Sequence, residues 1–197
     1  MTSATIGARV LVGLLTLSIT ISVANAAAIA GVKLEDKIRV GSQEVVLNGA
    51  GVRTRAFFKV YVGGLYLAEK KSVPAEVLAL KGAKRVSMTL LRDLSAEQLS
   101  EALGDGVRNN HTEIEMEALK PRVDELLAII KTIGAAKAGN LIALDFLPES
   151  GTRLSLNGEA KGNAIAGEDF YRALLKIWLG DKPVDSDLKK GMLGPMN

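Results

Sequence analysis

Few side chains in this sequence have the types and spacing that chemistry requires. His111 is the only histidine, so a Ser-His-Asp arrangement would have to use it. It stands in the polar run Arg108-Asn-Asn-His-Thr112, and no G-x-S-x-G elbow exists to present a serine to it. A zinc site needs several nitrogen or sulfur ligands, and the chain offers one histidine and no cysteine. Glu113, Glu115 and Glu117 fall on the charged side of a helix and read as solvated. Gly104-x-Gly106 lies inside a helical pattern and not after a strand, so it is no dinucleotide fingerprint. What remains is Arg53 with Tyr61. A guanidinium stays charged in an apolar cavity and grips a carboxylate through two parallel donors, and a phenol adds one more. The pair could receive a carboxylate or phenolate. It also has a plainer reading, with Arg53 a hairpin charge facing water and Tyr61 a core residue whose hydroxyl is satisfied. Arg55 is expected to stay outside.

The stretch that must position the pair runs from Asn48 to Leu67. Asn48, Gly49 and Gly51 predict a tight turn. Phe57, Phe58, Val60, Tyr61, Val62, Leu65, Tyr66 and Leu67 then predict a strand covered on both faces. Gly63-Gly64 predicts a bulge or a close approach to the backbone. Before it, Ile38–Val40 and Gln43–Leu47 read as two strands joined by Gly41-Ser42.

After it, Ser72–Leu80 reads as a short helix and Lys84–Arg92 as a strand exposing Val86, Met88 and Leu90 on one face. Ser95 and Gln98 form a capping box for a helix carrying Leu99, Ala102, Leu103 and Val107. Thr112–Ile133 is helical, with Ile114, Ala118, Val123, Leu126, Leu127 and Ile130 as its buried stripe. Pro121 kinks it or starts a fresh helix. Asn140–Leu147 and Thr152–Leu156 form a hairpin about Pro148–Gly151, and Asn157-Gly158 turns into one more strand. Glu168–Leu179 is a helix with Phe170, Leu174, Leu175, Ile177 and Trp178 inward, stopped by Gly180 and Pro183. A polar helix from Ser186 to Leu193 follows. Strands, helices, hairpin, helix is the order of an α+β domain with one antiparallel sheet and helices on one face.

Residues 1–26 read differently. Arg9 is the only charge before Lys33, Val10–Val23 is apolar, and Ala24-Asn25-Ala26 follows. That is the pattern of a signal peptide cleaved after Ala26 or Ala28, although a retained anchor is the alternative. The apolar core is shorter than the ~20 residues a spanning helix needs. The expectation is a periplasmic or secreted protein, with residues 27–197 as a single domain and no stable membrane span. Without cysteines the core alone must hold the fold. The 25 basic and 22 acidic residues are scattered and no nucleic-acid motif occurs, so nucleic-acid binding is not expected.

Three blocks give the sequence its family likeness. They are Leu47-Asn-Gly-Ala-Gly-Val-Arg53 continued by Phe58-Lys-Val-Tyr-Val-Gly-Gly-Leu-Tyr-Leu67, then Lys84-Arg-Val-Ser-Met-Thr-Leu90, then Gly162-Asn-Ala-Ile-Ala-Gly167 with Phe170 and Ala173–Pro183. In these blocks the chain resembles the chalcone isomerase superfamily, specifically its bacterial exported chalcone isomerase-like branch. The resemblance implies an open-faced β-sandwich, a large antiparallel sheet with helices layered on one face and a ligand cleft between. It also implies either of two activities: closing a flavanone ring or binding fatty acids without catalysis. In both groups an arginine after the hairpin glycines anchors the ligand, and Arg53 matches it. The next ligand-facing position is threonine in isomerases and tyrosine in fatty-acid binders, and here it aligns with Tyr61. The isomerases' tyrosine, lysine and asparagine around the following helix are absent, the matching stretch reading Leu94, Ser95, Gln98 and Ala102. Their Thr-Met pair on the last helix is Ile177-Trp178.

The resemblance therefore implies a non-catalytic binder of a fatty acid or similar amphipathic carboxylate, without a cofactor. Arg53 and Tyr61 would hold the head group, and Met88, Ile177 and Trp178 would line the tail cavity. Two other expectations stand beside it. One is an intramolecular lyase or isomerase acting on an unknown enone or phenolic substrate, and the other an envelope interaction protein with a vestigial cleft.

Overall fold

The structure, a computed structural model, describes residues 27–194; the expected signal peptide lies outside them. The chain opens with a small hairpin that the sequence reading did not foresee, β1 (Ala27–Ile29) and β2 (Val32–Leu34). It continues through β3 (Lys37–Val40), β4 (Gln43–Arg55), β5 (Phe58–Leu67), α1 (Pro74–Ala79), β6 (Lys84–Leu90), β7 (Leu94–Ser95), α2 (Ala96–Asn109) and α3 (Glu113–Lys131). Then come β8 (Ala135–Ala136), β9 (Leu141–Leu147), β10 (Gly151–Leu156), β11 (Glu159–Ile165), α4 (Glu168–Leu179) and α5 (Ser186–Leu193). Seven strands form one antiparallel sheet in the order β11-β10-β9-β6-β5-β4-β3. The α+β architecture read from the sequence is therefore the one observed. No helix of the described residues is long and apolar enough to cross a membrane.

The sheet's two faces differ because side chains alternate along each strand. One face carries Tyr61, Leu144 and Phe146, and on it lie α4 and α5. The Tyr171 hydroxyl of α4 donates to the Leu144 carbonyl at 3.0 Å, and its ring centroid is 5.4 Å from that of Phe146. Phe170, Leu174 and Leu175 of α4 are buried with it, as the 3.6-residue periodicity of this helix requires. The opposite face carries a row across four strands, with Tyr66 opposite Arg85, Arg85 opposite Asp145, and Asp145 opposite Arg153. Asp145 is 1% exposed and accepts from both Nε and Nη2 of Arg85, with Arg153 at 3.6 Å. Sequence periodicity identifies the covered strand, and this ion pair explains how a carboxylate can stand in it.

Four local expectations are corrected. Asn48-Gly-Ala-Gly51 is no turn. β4 runs straight through it with a bulge between Leu47 and Gly49, and α5 rests on the glycines. A Cβ on Gly49 would stand 2.2 Å from the Gly191 carbonyl oxygen, and one on Gly63 would be 2.9 Å from Met192 Cε. Asn48 is buried and bonds the backbone of Lys71 and Met192. The real hairpin turn is Ala56-Phe57, both with positive φ (45° and 72°). Gly63-Gly64 carries the close approach but no bulge, since β5 pairs with β6 without interruption. In α3, Pro121 lies inside one continuous helix and starts no fresh one, and Ile114 (82% exposed) and Ala118 lie outside the buried stripe. Finally, α5 is less polar in effect than in composition, because Leu188 and Met192 are fully buried.

Both expected helix starts on the roof are present. Ser95 and Gln98 cap α2 reciprocally, and Thr112 and Glu115 do the same for α3. His111 is tied by Nδ1 to the Val107 carbonyl at 2.8 Å, so it ends a helix and faces no nucleophile.

Candidate functional site

Between the sheet and the helices lies a cavity of about 360 Å³. Its floor is Tyr61, Met88, Ile142, Leu144 and Leu154 from four adjacent strands. Its roof is Leu99, Ala102 and Leu103 of α2, Ile130 and Ile133, and Ile177 and Trp178 of α4. The volume falls within the range of small-molecule pockets, which are typically ~300–1,000 Å³ and mostly apolar. All five residues read as ligand-facing from the sequence, Arg53, Tyr61, Met88, Ile177 and Trp178, line this one space.

Arg53 and Tyr61 are register partners across β4 and β5, and the bulge that follows Arg53 shifts the pairing there. A bulge re-aims the side chain beside it. The guanidinium carbon lies 5.6 Å from the Tyr61 ring centroid. Arg53 Nε is buried and donates to nothing, and among the described residues no carboxylate lies within 4.0 Å of its guanidinium. Asp185, which reaches the backbone of the adjacent Thr54, is committed elsewhere. Its Oδ2 accepts from Thr54 N at 2.9 Å, and its Oδ1 caps α5 through Asp187 N and Leu188 N.

Tyr61 is buried at the cavity floor. Its hydroxyl accepts from Trp178 Nε1 at 2.8 Å, so its own proton is free to donate into the cavity. Burial pushes its pKa above the ordinary phenol value, and Arg53 and the Trp178 hydrogen bond pull it only partly back. At neutral pH this phenol is a donor, not a base.

The mouth adds groups that the sequence reading left out. Arg55, expected outside, is exposed yet lines the opening. Arg92, Phe58, Gln98 and Glu101 stand with it, and Arg92 stacks 5.4 Å from the Phe58 ring centroid. Alternation along β6 marked Met88 in the sequence; nothing local distinguishes Arg92. The positions matching the isomerases' helix residues, Leu94, Gln98 and Ala102, do line the cavity. They present aliphatic groups and one amide, and the amide oxygen of Gln98 is occupied by Ser95 N at 3.0 Å.

A two-layer α+β fold with an arginine-mouthed apolar cavity defines a ligand-cleft domain. The sequence profile of chalcone isomerase-like proteins matches residues 26–194, and the chain belongs to that family. Among solved structures, the chain is similar to a fatty-acid binding protein of Arabidopsis thaliana. The TM-score is 0.70 at 14% identity, over 86% of this chain and 96% of that one. At that identity the likeness establishes the fold. No curated protein sequence matches the chain.

Proposed function

We propose that this protein is an exported, non-catalytic binder of a fatty acid or similar amphipathic carboxylate. One observation carries the reading: a permanent cation with a buried, unpartnered Nε stands at an apolar cavity. A carboxylate supplies the missing acceptor. An acyl chain supplies the apolar filling, each buried methylene contributing about 0.8 kcal/mol. Tyr61 adds a neutral donor, and Met88, Ile177 and Trp178 enclose the tail. The fatty-acid binding structural neighbour supports the ligand class. Residues 1–26, with their apolar core and Ala-x-Ala, support passage to the periplasm or beyond.

Cyclisation chemistry is disfavoured because the cavity-lining Leu94, Gln98 and Ala102 offer neither acid nor base. Native mass spectrometry of protein purified from the periplasm, followed by fatty-acid titration of delipidated protein, tests the reading. Copurifying or added acyl carboxylate bound by the wild type and lost in Arg53→Ala is the expected result. Absence of both sinks it. Turnover of an enone or phenolic panel that vanished in Arg53→Ala would replace it with an isomerase.

A further inference from the structure

The β4–β5 turn carries residues that a water-facing hairpin disfavours. Two-residue turns with positive φ at both positions select Asn-Gly, yet here they hold Ala56 and Phe57 (φ 45° and 72°). Phe57 is 100% exposed and Phe58 63% exposed. A bulky side chain in the left-handed region is an outlier of the kind that clusters at functional positions. The surroundings are cationic. Arg55, Lys59 and Arg92 are exposed, and none has an ion-pair partner among the described residues. The neighbouring acids are mostly engaged, Asp185 with backbone amides and Asp93 with Lys137. Glu101 is the one carboxylate among the residues lining the opening. Arg55, Ala56, Phe58 and Arg92 also line the cavity opening, so tip and mouth are one place.

We infer that this tip docks on the surface of an anionic lipid bilayer. Phe57 enters the interfacial layer, Arg55, Lys59 and Arg92 meet the lipid phosphates, and the cavity mouth opens onto the membrane. The charge complementarity selects this occupant. A protein partner fits less well, because two phenylalanines offer about 300–500 Å², below the ~800 Å² that each partner contributes to a standard protein interface. Interfacial insertion needs only a small apolar anchor and cations, whose attractions to an anionic surface accumulate. The passage of an acyl carboxylate from bilayer to cavity rests on the function proposed above; the docking itself does not.

The test is cosedimentation of the full mature chain with phosphatidylcholine vesicles and with mixed phosphatidylcholine–phosphatidylglycerol vesicles. Binding to the mixed vesicles alone is expected. It should be lost near 1 M salt, where the screening length is about 3 Å. Arg55→Glu/Arg92→Glu should weaken it by at least about tenfold. Ala56→Asn/Phe57→Gly should abolish it while unfolding at the same or higher denaturant, since the turn becomes unstrained. In Phe57→Trp, emission should shift to the blue on adding mixed vesicles. No binding to the mixed vesicles, equal binding to both kinds, or full binding by Ala56→Asn/Phe57→Gly overturns the inference. Vesicle-free fatty-acid titration reports on the cavity separately, so either idea can fail without the other.

Discussion

Trp178 donates its indole N–H to the Tyr61 hydroxyl at 2.8 Å, joining α4 to an interior strand of the sheet. Both residues are 4% exposed, so no water replaces either partner cheaply. Tyr61→Phe leaves the indole donor unpaired and should cost about 1–3 kcal/mol. Combining it with Trp178→Phe should recover part of the cost of removing the acceptor. Urea unfolding of the two single variants and the double variant gives the coupling. Additive losses would mean that the bond contributes nothing specific.

The guanidinium of Arg53 should matter to the ligand and hardly at all to the fold. Arg53→Met keeps the aliphatic stem and removes a charge that no described residue neutralises. Stability should stay level or rise slightly. Fatty-acid affinity by calorimetry should fall about 10- to 100-fold, the worth of a charge-assisted hydrogen bond. Undiminished affinity would place the head group elsewhere.

Lys84 gives the fold a pH signature. It is 2% exposed, its Nζ lies 5.1 Å from the Phe146 ring centroid, and its one hydrogen bond is to the Gly82 carbonyl at 3.3 Å. Burial lowers its pKa to about 8. Between that value and the ordinary 10.5, the unfolded chain binds more protons than the folded one, so stability rises with pH. A gain on the order of 1–3 kcal/mol from about pH 8 to pH 10 is expected. Tyr61, Tyr66 and Tyr171 act oppositely. Burial raises all three, Tyr66 to about 12, so the unfolded state deprotonates first and stability falls above pH 10. Denaturant midpoints should peak near there, and Lys84→Met should flatten the rising limb.

Two glycines of α2 should respond with opposite signs. A Cβ on Gly106 would stand 2.8 Å from Ile177 Cγ2, in the roof of the cavity, whereas one on Gly104 meets only the end of the exposed Arg108 side chain at 3.3 Å. Gly104→Ala should stabilise by up to about 1 kcal/mol through helix propensity. Gly106→Ala should cost about 1–3 kcal/mol through overpacking. Thermal melts of the two variants compare them directly, and equal shifts would refute the packing argument.

Local chemistry made much of the fold legible. α4 was readable because apolar residues recur at helical spacing between an acidic first turn and Gly180-x-x-Pro183. The hairpins at Pro148–Gly151 and Asn157-Gly158 were readable because their turn residues match their backbone. The same signals misled at Asn48–Gly51, where the glycines serve a helix contributed from about 140 residues later in the chain. The true turn at Ala56-Phe57 has no turn chemistry to read. Arg53 and Tyr61 stood out through motif likeness, and Met88, Ile177 and Trp178 through likeness joined to periodicity. Arg55 and Arg92 did not, because what brings them to the opening is the path of α2 over the sheet.

The buried carboxylate of Asp145 also sets which strand alignments can survive. Side chains alternate, so sliding β9 by one residue against β6 would turn Asp145 toward the hydrocarbon interior and strand it away from both arginines. Leaving a charge so placed costs several kcal/mol, comparable with the net stability of a small domain. Such slipped sheets are thereby removed from the folding ensemble. The aligned strands that hold Tyr61 opposite Arg53 owe part of their uniqueness to an ion pair on the far side of the sheet.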